Sequence, residues 1–493
     1  MILLRWIGFL LKVLWVVLVK LAAGMTFVVR AASPDFRAQG ALGTARWASR
    51  WELILAGVYR GVGPVVGKSA LGRLMRYNSD GVVQVFAQTG SGKGLGIVIP
   101  TLLDYPGSIV VTDVKSENFA ITGRHRAKLG KVVVMEPSNL AHSAQFNPMD
   151  MIRVGTDDEQ DDALMLADLM VLRDSADGHW SAKSISLLSA FILHALHDPD
   201  PVNRTLAHVN KLTRGEPSVM EDRIRDIALH SPAPLAQSIA QGFLGSMGKP
   251  GEPTPEFSSV LSDLHKASEP WTEGTPTGRL SARSSFRLEE LTGQTPLTLY
   301  LRVDEEKLRS YARWLRVMTG LTVAALMRAK KTGKPRHKVV LLLDEAFVLG
   351  RLDVLANNLG LLRAYCTPML IWQSMPQVRN VYGKGAEAFL ANASCKVYFG
   401  VPDVDTAHQV SVTCGQTQVR TTSQGISQPS DVWLRENRSQ GESDSGYWLI
   451  DPSEVLRLPP TRVIIKMRHV AFPILTWRAD YRSRWRWRTR WDR

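Results

Sequence analysis

Short unbroken runs of apolar residues recur along the chain and alternate with longer amphipathic stretches. Such runs predict strands that are buried on both faces, and their alternation with helices predicts an α/β fold with a parallel core sheet. The predicted strands are Val82–Ala87, Ser108–Asp113, Lys131–Glu136, Leu297–Val303, Val339–Leu343, the run PMLIWQ that ends at Gln373, and KVYFGV.

Polar, helix-forming sequence fills the interval between the third and fourth of these strands. The run TDDEQDDALMLADLM begins at Thr156 with an acidic first turn, which is the usual start of a helix. We therefore predict an all-α domain at residues 151–292, inserted between two parts of the sheet domain at 31–150 and 293–480. The cluster Asp157–Asp162 is open to two interpretations, a metal site or a solvated helix start, and the helix start is favoured.

Further helices are predicted downstream of the insertion. They cover Ser310–Arg328, Val354–Ala364 and Glu387–Ala393. The stretch 421–446 is rich in Ser, Gly and Gln and is predicted to be a flexible loop.

Residues 1–30 are almost entirely apolar and predict a membrane-associated helix. A helix of about 29 residues reaches roughly 43 Å, which is long enough to span a bilayer. Its basic residues Arg5, Lys12 and Lys20 fall within a sector of about 80°, so an interfacial helix and a core helix remain alternatives. The basic residues that follow place the next part of the chain on the cytoplasmic side.

The net charge of +14 belongs to the two ends of the chain. Seven Lys and Arg against Asp35 give residues 1–50 a charge of +6, and ten Lys and Arg against Asp480 and Asp492 give residues 461–493 a charge of +8. The body between them is neutral. Any nucleic acid is therefore expected to contact a few local residues and not a broad basic face.

Three cysteines are present, Cys366, Cys395 and Cys414, with no C-x-x-C spacing. An odd number without that spacing indicates neither a disulfide framework nor a zinc site. A reducing compartment and buried thiols are the expectation.

The run VFAQTGSGKGLGIVIPTLL joins a predicted strand to a predicted helix through a glycine-rich loop. Gly90 and Gly92 permit the backbone N–H groups to face a phosphate, Lys93 supplies a cation, and the helix N-terminus adds its dipole. The candidate phosphate-binding residues are Thr89, Gly90, Ser91, Gly92, Lys93 and Gly94. Two positions depart from the usual P-loop pattern, because Ala87 replaces a glycine and Gly94 replaces a hydroxyl that would ligate Mg²⁺. A glycine turn beside a surface lysine is the alternative.

Two carboxylates, Asp344 and Glu345, end the apolar strand Val339–Leu343. Asp344 is the candidate Mg²⁺ ligand, through water, and Glu345 is the candidate residue that polarises the attacking water. Gln373 ends another predicted strand, where RecA-like ATPases carry a γ-phosphate sensor, although a surface glutamine is equally compatible with the sequence. Together these residues predict hydrolysis of a nucleoside triphosphate, with ATP and Mg²⁺ as cofactors.

Six blocks carry a resemblance to a known family. In order they are AQTGSGKGLGIVIPTLLDYPGSIVVTDVKSENFAIT, FNPMD, FRLEELTGQTPLTLYLRV, LLLDEAFVLGRLDVLANNL, QSMPQVRNVYG and LIDPSEVLRLPP. The chain resembles the TraG-like type IV secretion coupling proteins, ATPases of the FtsK/HerA P-loop superfamily, over about residues 40–480.

The resemblance implies a RecA-like P-loop domain, an inserted all-α domain and a homo-hexamer anchored on the cytoplasmic face of the bacterial inner membrane. It implies that the partners are type IV secretion channel components and a relaxase–DNA complex or secreted proteins, with single-stranded DNA. Arg363, in LLRAY, matches the arginine that reaches the neighbouring subunit's nucleotide in this family. Many relatives have two transmembrane helices, whereas this chain has one apolar segment.

The C-terminal segment 481–493 is a basic tail, YRSRWRWRTRWDR, in which arginine alternates with Ser, Thr or Trp. A strand with this pattern would place arginines on one side and mainly tryptophans on the other. An edge strand with tryptophans packed inward is one interpretation. Contact with an anionic membrane or single-stranded nucleic acid is the other.

The sequence thus predicts a coupling ATPase that recruits substrates to a type IV secretion channel and drives their transfer. Two other functions remain as alternatives. One is a DNA-pumping ATPase of the FtsK/HerA type without a secretion channel, and the other is a non-hydrolysing receptor, against which the intact Asp344–Glu345 pair argues.

Overall fold

The computed structural model describes residues 43–172, 178–249, 252–329, 335–427 and 437–492. The membrane-associated helix predicted at residues 1–30 lies outside these ranges. In the part of the chain that is described, we find no helix with the length and apolar character needed to cross a bilayer.

The described chain forms two compact units. The larger joins Ala48–Ala407 to Leu456–Arg493 and contains the main sheet. The smaller joins His408–Val455 to residues 43–47, the described end of the N-terminal part.

The described residues form fifteen strands. They are β1 (Val65–Lys68), β2 (Leu74–Arg76), β3 (Val82–Ala87), β4 (Ile109–Asp113), β5 (Lys131–Met135), β6 (Gly248–Lys249), β7 (Glu252–Pro253), β8 (Leu297–Arg302), β9 (Val339–Leu343), β10 (Cys366–Trp372), β11 (Ala393–Phe399), β12 (Gln416–Ser427), β13 (Asn437–Trp448), β14 (Arg462–Met467) and β15 (Ile474–Trp477).

The helices alternate with the strands on either side of a long helical stretch. They are α1 (Arg50–Leu55), α2 (Ile99–Asp104), α3 (Glu117–Leu129), α4 (Glu159–Met170), α5 (Gly178–Leu196), α6 (Leu206–Leu212), α7 (Pro217–His230), α8 (Pro234–Leu244), α9 (Pro255–Ser268), α10 (Pro276–Leu280), α11 (Leu308–Arg328), α12 (Asp353–Ala356), α13 (Leu359–Leu362), α14 (Met375–Tyr382), α15 (Ala386–Ala391), α16 (Val404–Cys414) and α17 (Pro452–Arg457).

The main sheet of the larger unit has eleven strands in the described residues, in the order β2-β1-β15-β14-β11-β3-β10-β9-β4-β8-β5. Every neighbouring pair from β11 to β5 is parallel, and the pairs from β2 to β11 are antiparallel. The predicted α/β fold with a parallel core sheet is confirmed. Strands β3, β4, β9 and β10 are buried at every position, as their unbroken apolar runs require.

The carboxyl ends of β3, β10, β9 and β4 meet at one edge of the sheet because these neighbouring strands are parallel. Ligands of open α/β sheets bind outside this edge. The residues that follow β3, β9 and β10 are the ones that the sequence singled out.

Helices α4 to α10 occupy the interval between β5 and β8 and account for the predicted insertion at 151–292. The two-residue strands β6 and β7 pair within it. This stretch belongs to the same compact unit as the sheet. Its role as a separate inserted domain remains a prediction.

Two predicted elements are wrong. The single helix predicted at 354–364 is two short helices, α12 and α13, because Asn357 and Asn358 interrupt it and the Asn358 amide donates to the Val354 carbonyl at 2.8 Å. The flexible loop predicted at 421–446 is largely part of an antiparallel hairpin of β12 and β13, with residues 428–436 outside the described ranges. Backbone pairing forms this hairpin without the apolar alternation by which strands are recognised.

Candidate active site

The glycine-rich loop follows β3 and leads into one π-helical turn, Gly94–Val98, before α2 begins. Gly90 and Gly92 have φ angles of +83° and +87°, in the left-handed region that favours glycine. A β-carbon at Gly90 or Gly94 would meet no atom within 4 Å. The loop therefore has the curled backbone that an anion cradle requires, with open space in front of it.

Most of the predicted loop residues line a cleft of about 800 Å³ at this edge of the sheet. They are Thr89, Gly90, Gly92, Lys93 and Gly94. Ser91 does not line it, because its hydroxyl donates to the Gln88 carbonyl at 2.6 Å and closes the loop internally.

Lys93 pairs with both carboxylates that end β9. Its amine lies 3.1 Å from Asp344 Oδ1 and donates a shorter hydrogen bond to Glu345 Oε1. Burial alone would lower the pKa of Lys93, but the charges of Asp344 and Glu345 outweigh it and raise that pKa. Burial raises the pKa of Asp344 against the opposing charge of Lys93. The lysine and the two acids, which are 251 and 252 positions away in the sequence, thus form one site.

Glu345 has an unusual backbone, with φ +56° in the left-handed region. This conformation is costly for a residue with a β-carbon and concentrates at functional sites. Gln373, at the end of β10, donates from Nε2 to Glu345 Oε2 at 2.9 Å, and its own N–H donates to Gln377 Oε1 at 2.9 Å. The structure therefore brings Gln373 into contact with Glu345. Its role as a γ-phosphate sensor remains a prediction.

Arg363 is exposed at the end of α13, and the residues that line the cleft do not include it. Its predicted role concerns a neighbouring subunit. That role remains a prediction.

The acidic cluster at 157–162 is a helix start. Asp162 is buried on α4 and pairs with Arg153 at 2.8 Å and with Arg328 at 2.6 Å. Burial would raise the pKa of Asp162, but these arginines lower it. Within the described ranges, no group of three or more His, Cys, Asp or Glu side chains is arranged to hold a metal ion.

Asp113, which was not among the residues predicted from the sequence, ends β4 and lines the same cleft. It accepts hydrogen bonds from the N–H groups of Asn118 at 3.2 Å and Phe119 at 2.9 Å. Burial raises its pKa to about 6, although these bonds and Arg302, 3.9 Å away, oppose the shift. A carboxylate at the end of an apolar strand is the same signal that identified Asp344, so Asp113 could have been found.

Arg478, which was also not predicted from the sequence, follows β15 and packs against the glycine-rich loop. Its guanidinium donates to the Ser91 carbonyl. A β-carbon at Gly92 would lie 2.1 Å from Arg478 Nη1, and one at Gly96 would lie 2.2 Å from its Cγ. Glycine at these two positions permits the close approach of this side chain. No local pattern in the sequence indicated the contact.

Comparison with known families and sequences gives a consistent result. The family model described as type IV secretory system conjugative DNA transfer matches residues 35–481. A conjugal transfer protein TraG from Escherichia coli is 29% identical over 465 residues, which cover 85% of this chain and 71% of that protein. Protein VirD4 from Agrobacterium fabrum is 27% identical over 452 residues, which cover 88% of this chain and 65% of that protein.

Solved structures show the same fold. The bacterial conjugative coupling protein TrwBdeltaN70, in its unbound monoclinic form, has a TM-score of 0.65 and 15% identity over 88% of this chain and 92% of its own. TrwB in complex with ADP and Mg²⁺ has a TM-score of 0.62 and 14% identity, over 88% of this chain and 94% of its own. With a family model that covers nearly the whole described chain, this protein belongs to the type IV secretory system conjugative DNA transfer family.

Proposed function

We propose that this chain is a coupling ATPase, which recruits DNA–relaxase or protein substrates to a type IV secretion channel and drives their transfer by hydrolysing ATP. The observation that carries the proposal is the contact of Lys93 with Asp344 and Glu345 in a cleft in front of the glycine-rich loop. Family membership supports the conjugative context.

Each residue has a distinct role in hydrolysis. The loop N–H groups and Lys93 hold the phosphates and balance their charge. Glu345 orients and polarises the attacking water, and Gln373 fixes the Glu345 carboxylate by the 2.9 Å hydrogen bond. Lys93 contacts both acids, so a triphosphate bound at the loop would compete for this cation and leave Glu345 to act on water.

The carboxylates of the cleft suit Mg²⁺, which is usually held by one or two carboxylates together with phosphate oxygens and waters. Asp113 is buried there and the Asp344 side chain is only 15% exposed. Desolvation raises the pKa of each, so a cation would stabilise their charged forms. Gly94 offers no hydroxyl, which leaves Asp344 as the main protein ligand. When bound, Mg²⁺ would neutralise charge on the phosphates. The solved complex of TrwB with ADP and Mg²⁺ supports this cofactor.

We propose a homo-hexamer in which Arg363 reaches the nucleotide of the adjacent subunit. Its exposed position at the end of α13, away from its own cleft, is compatible with action between subunits. Arginines supplied in this way stabilise the charge of the transition state.

Mixing two inactive variants tests this role of Arg363. Arg363→Ala and Glu345→Gln subunits should each be inactive alone, yet recover part of the ATPase activity when mixed, because some interfaces then combine an intact Glu345 with an intact Arg363. The measurement is steady-state ATPase rate against mixing ratio. No recovery at any ratio contradicts action between subunits.

The other proposed partners are the bacterial inner membrane, through residues 1–30, type IV channel components and single-stranded DNA. The neutral body of the chain argues that DNA contacts a few local residues. Membership of a type IV secretory family supports a location at the membrane, and we propose that the chain lies on the cytoplasmic face of that membrane.

A transfer assay tests the proposed function as a whole. In cells that carry the chain's own secretion system, replacement by Lys93→Ala should reduce plasmid transfer to the level of a deletion strain, whereas Lys384→Ala, a change to a lysine outside the cleft lining, should not. Capture of relaxase and DNA by the full-length chain should accompany transfer. ATP hydrolysis by the purified chain combined with unchanged transfer in the deletion strain would instead favour a DNA pump without a secretion channel.

A further inference from the structure

The C-terminal segment 478–492 packs against the helices that follow the glycine-rich loop. Trp487 is 2% exposed and belongs to an apolar cluster with Ile99 and Leu103 of α2. The Arg490 guanidinium donates to the Leu103 carbonyl at 3.1 Å. The basic tail is therefore attached to the helix that leads away from the phosphate loop.

The end of the same segment is attached to α3. The Asp492 N–H donates to the Ile121 carbonyl at 2.9 Å, and its carboxylate pairs with Arg124 at 2.5 Å. Trp491 packs against the cluster and meets the Tyr481 ring edge-on, with 5.3 Å between ring centroids. The contacts of the segment with α2 and α3, together with the Trp491 ring, thus position Tyr481.

Tyr481 lines the cleft that contains Lys93, Asp344 and Glu345. Three apolar residues of the same cluster line it as well, namely Leu95, Ile99 and Ile121. The cleft therefore has a charged group of residues, joined by hydrogen bonds, and an apolar group that includes the Tyr481 ring. Phe347 also lines the cleft but does not belong to this cluster.

A nucleoside triphosphate has the same division, because its phosphates are charged and its base is a flat aromatic ring. We propose that Tyr481, with Leu95, Ile99 and Ile121, forms the site for the base of the bound nucleotide, and that the Arg/Trp segment 478–492 holds this site in place. The inference rests on the proposed function, since it assumes that a nucleotide occupies the cleft. Aromatic side chains bind bases by stacking, without regard to base identity.

Binding of two ligands to the full-length chain tests the assignment. The ligands are Mg²⁺–ATP and Mg²⁺–tripolyphosphate, which has the phosphates and lacks the base, and affinities are measured by calorimetry. Tyr481→Ala should weaken ATP binding about 10-fold to 100-fold, in line with the effect of losing one base–aromatic stack. Tripolyphosphate binding should be unchanged.

Tyr481→Phe keeps the ring and should bind ATP as the wild type does. Trp485→Ala is the matched control, because Trp485 belongs to the same segment and is 74% exposed. If Tyr481→Ala does not fold, Tyr481→Leu preserves apolar volume without an aromatic face, and the same selective loss of ATP affinity is expected. Equal affinity of the wild type and the folded variant for ATP, or equal loss for both ligands, overturns the assignment.

Lys93→Ala separates this inference from the proposed function. It should weaken both ligands, because it acts on the phosphates. If Lys93→Ala binds both ligands normally, the proposed nucleotide site itself is wrong. If Lys93→Ala weakens both while Tyr481→Ala weakens neither, only the base site is wrong.

Discussion

Glu345→Gln should bind ATP normally and hydrolyse it at least about 100-fold more slowly than the wild type, because groups that act as general bases contribute about 10²–10⁴ in rate. The carboxylate has hydrogen bonds to Lys93 and Gln373 in the structure, and glutamine retains the shape while losing the charge that polarises water. Steady-state ATPase assays, with nucleotide binding measured separately, check this expectation.

Two further variants should be measured beside Glu345→Gln. Glu387→Gln changes a carboxylate whose side chain is 69% exposed and which does not line the cleft, so its turnover should equal that of the wild type. Lys93→Ala should lose binding as well as turnover, since it removes the cation that faces the phosphates. Near-normal turnover in Glu345→Gln would contradict the assignment of this residue and would require another carboxylate of the same cleft, such as Asp113.

The core of the site could be predicted from the sequence because strands β3, β9 and β10 are buried and parallel. A buried parallel strand is an unbroken apolar run, so its end is visible in the sequence. Polar residues just beyond such ends converge at one edge of the sheet. Lys93, Asp344 and Gln373 were found by this reasoning, and Asp113 was open to the same reasoning at the end of β4.

The contribution of the C-terminal segment was not predictable in this way. Arg478 donates to the carbonyl of Ser91, which is 387 positions away in the sequence. Tyr481 lines the same cleft as Leu95, which is 386 positions away. Hydrophobic periodicity does not indicate contacts between residues so distant in the sequence. An edge strand was one interpretation of the alternating arginines and tryptophans, and it is wrong. The segment forms two short 3₁₀ turns, 481–483 and 485–487, the first of which is capped by the Asp480 carboxylate. A turn with three residues per repeat does not preserve a period of two.

These turns divide the tryptophans that the alternating pattern placed together. Trp487 is buried in the cluster that contains Ile99 and Leu103 of α2, and Trp491 packs against that cluster. Inward packing of these two tryptophans agrees with one of the interpretations of the sequence. Trp485 is 74% exposed, and the Arg486 guanidinium lies over its ring, 5.5 Å from the centroid. Contact with an anionic membrane or single-stranded nucleic acid therefore remains a prediction for Trp485 and the exposed arginines, and not for the tail as a whole.

Trp487→Ala should lower the free energy of unfolding by about 3–5 kcal/mol, the usual cost of truncating a buried aromatic side chain to alanine. Trp485→Ala, two residues away, should change it by no more than about 0.5 kcal/mol, as is usual for exposed positions. Truncation after Asp480 removes Trp487 together with the hydrogen bonds of Arg490 and Asp492, so we expect it to destabilise the chain at least as much as Trp487→Ala does. Chemical denaturation of the three variants measures these differences. Equal stability of Trp487→Ala and Trp485→Ala would show that the segment is not part of the folded core, and the base site proposed around Tyr481 would lose its support.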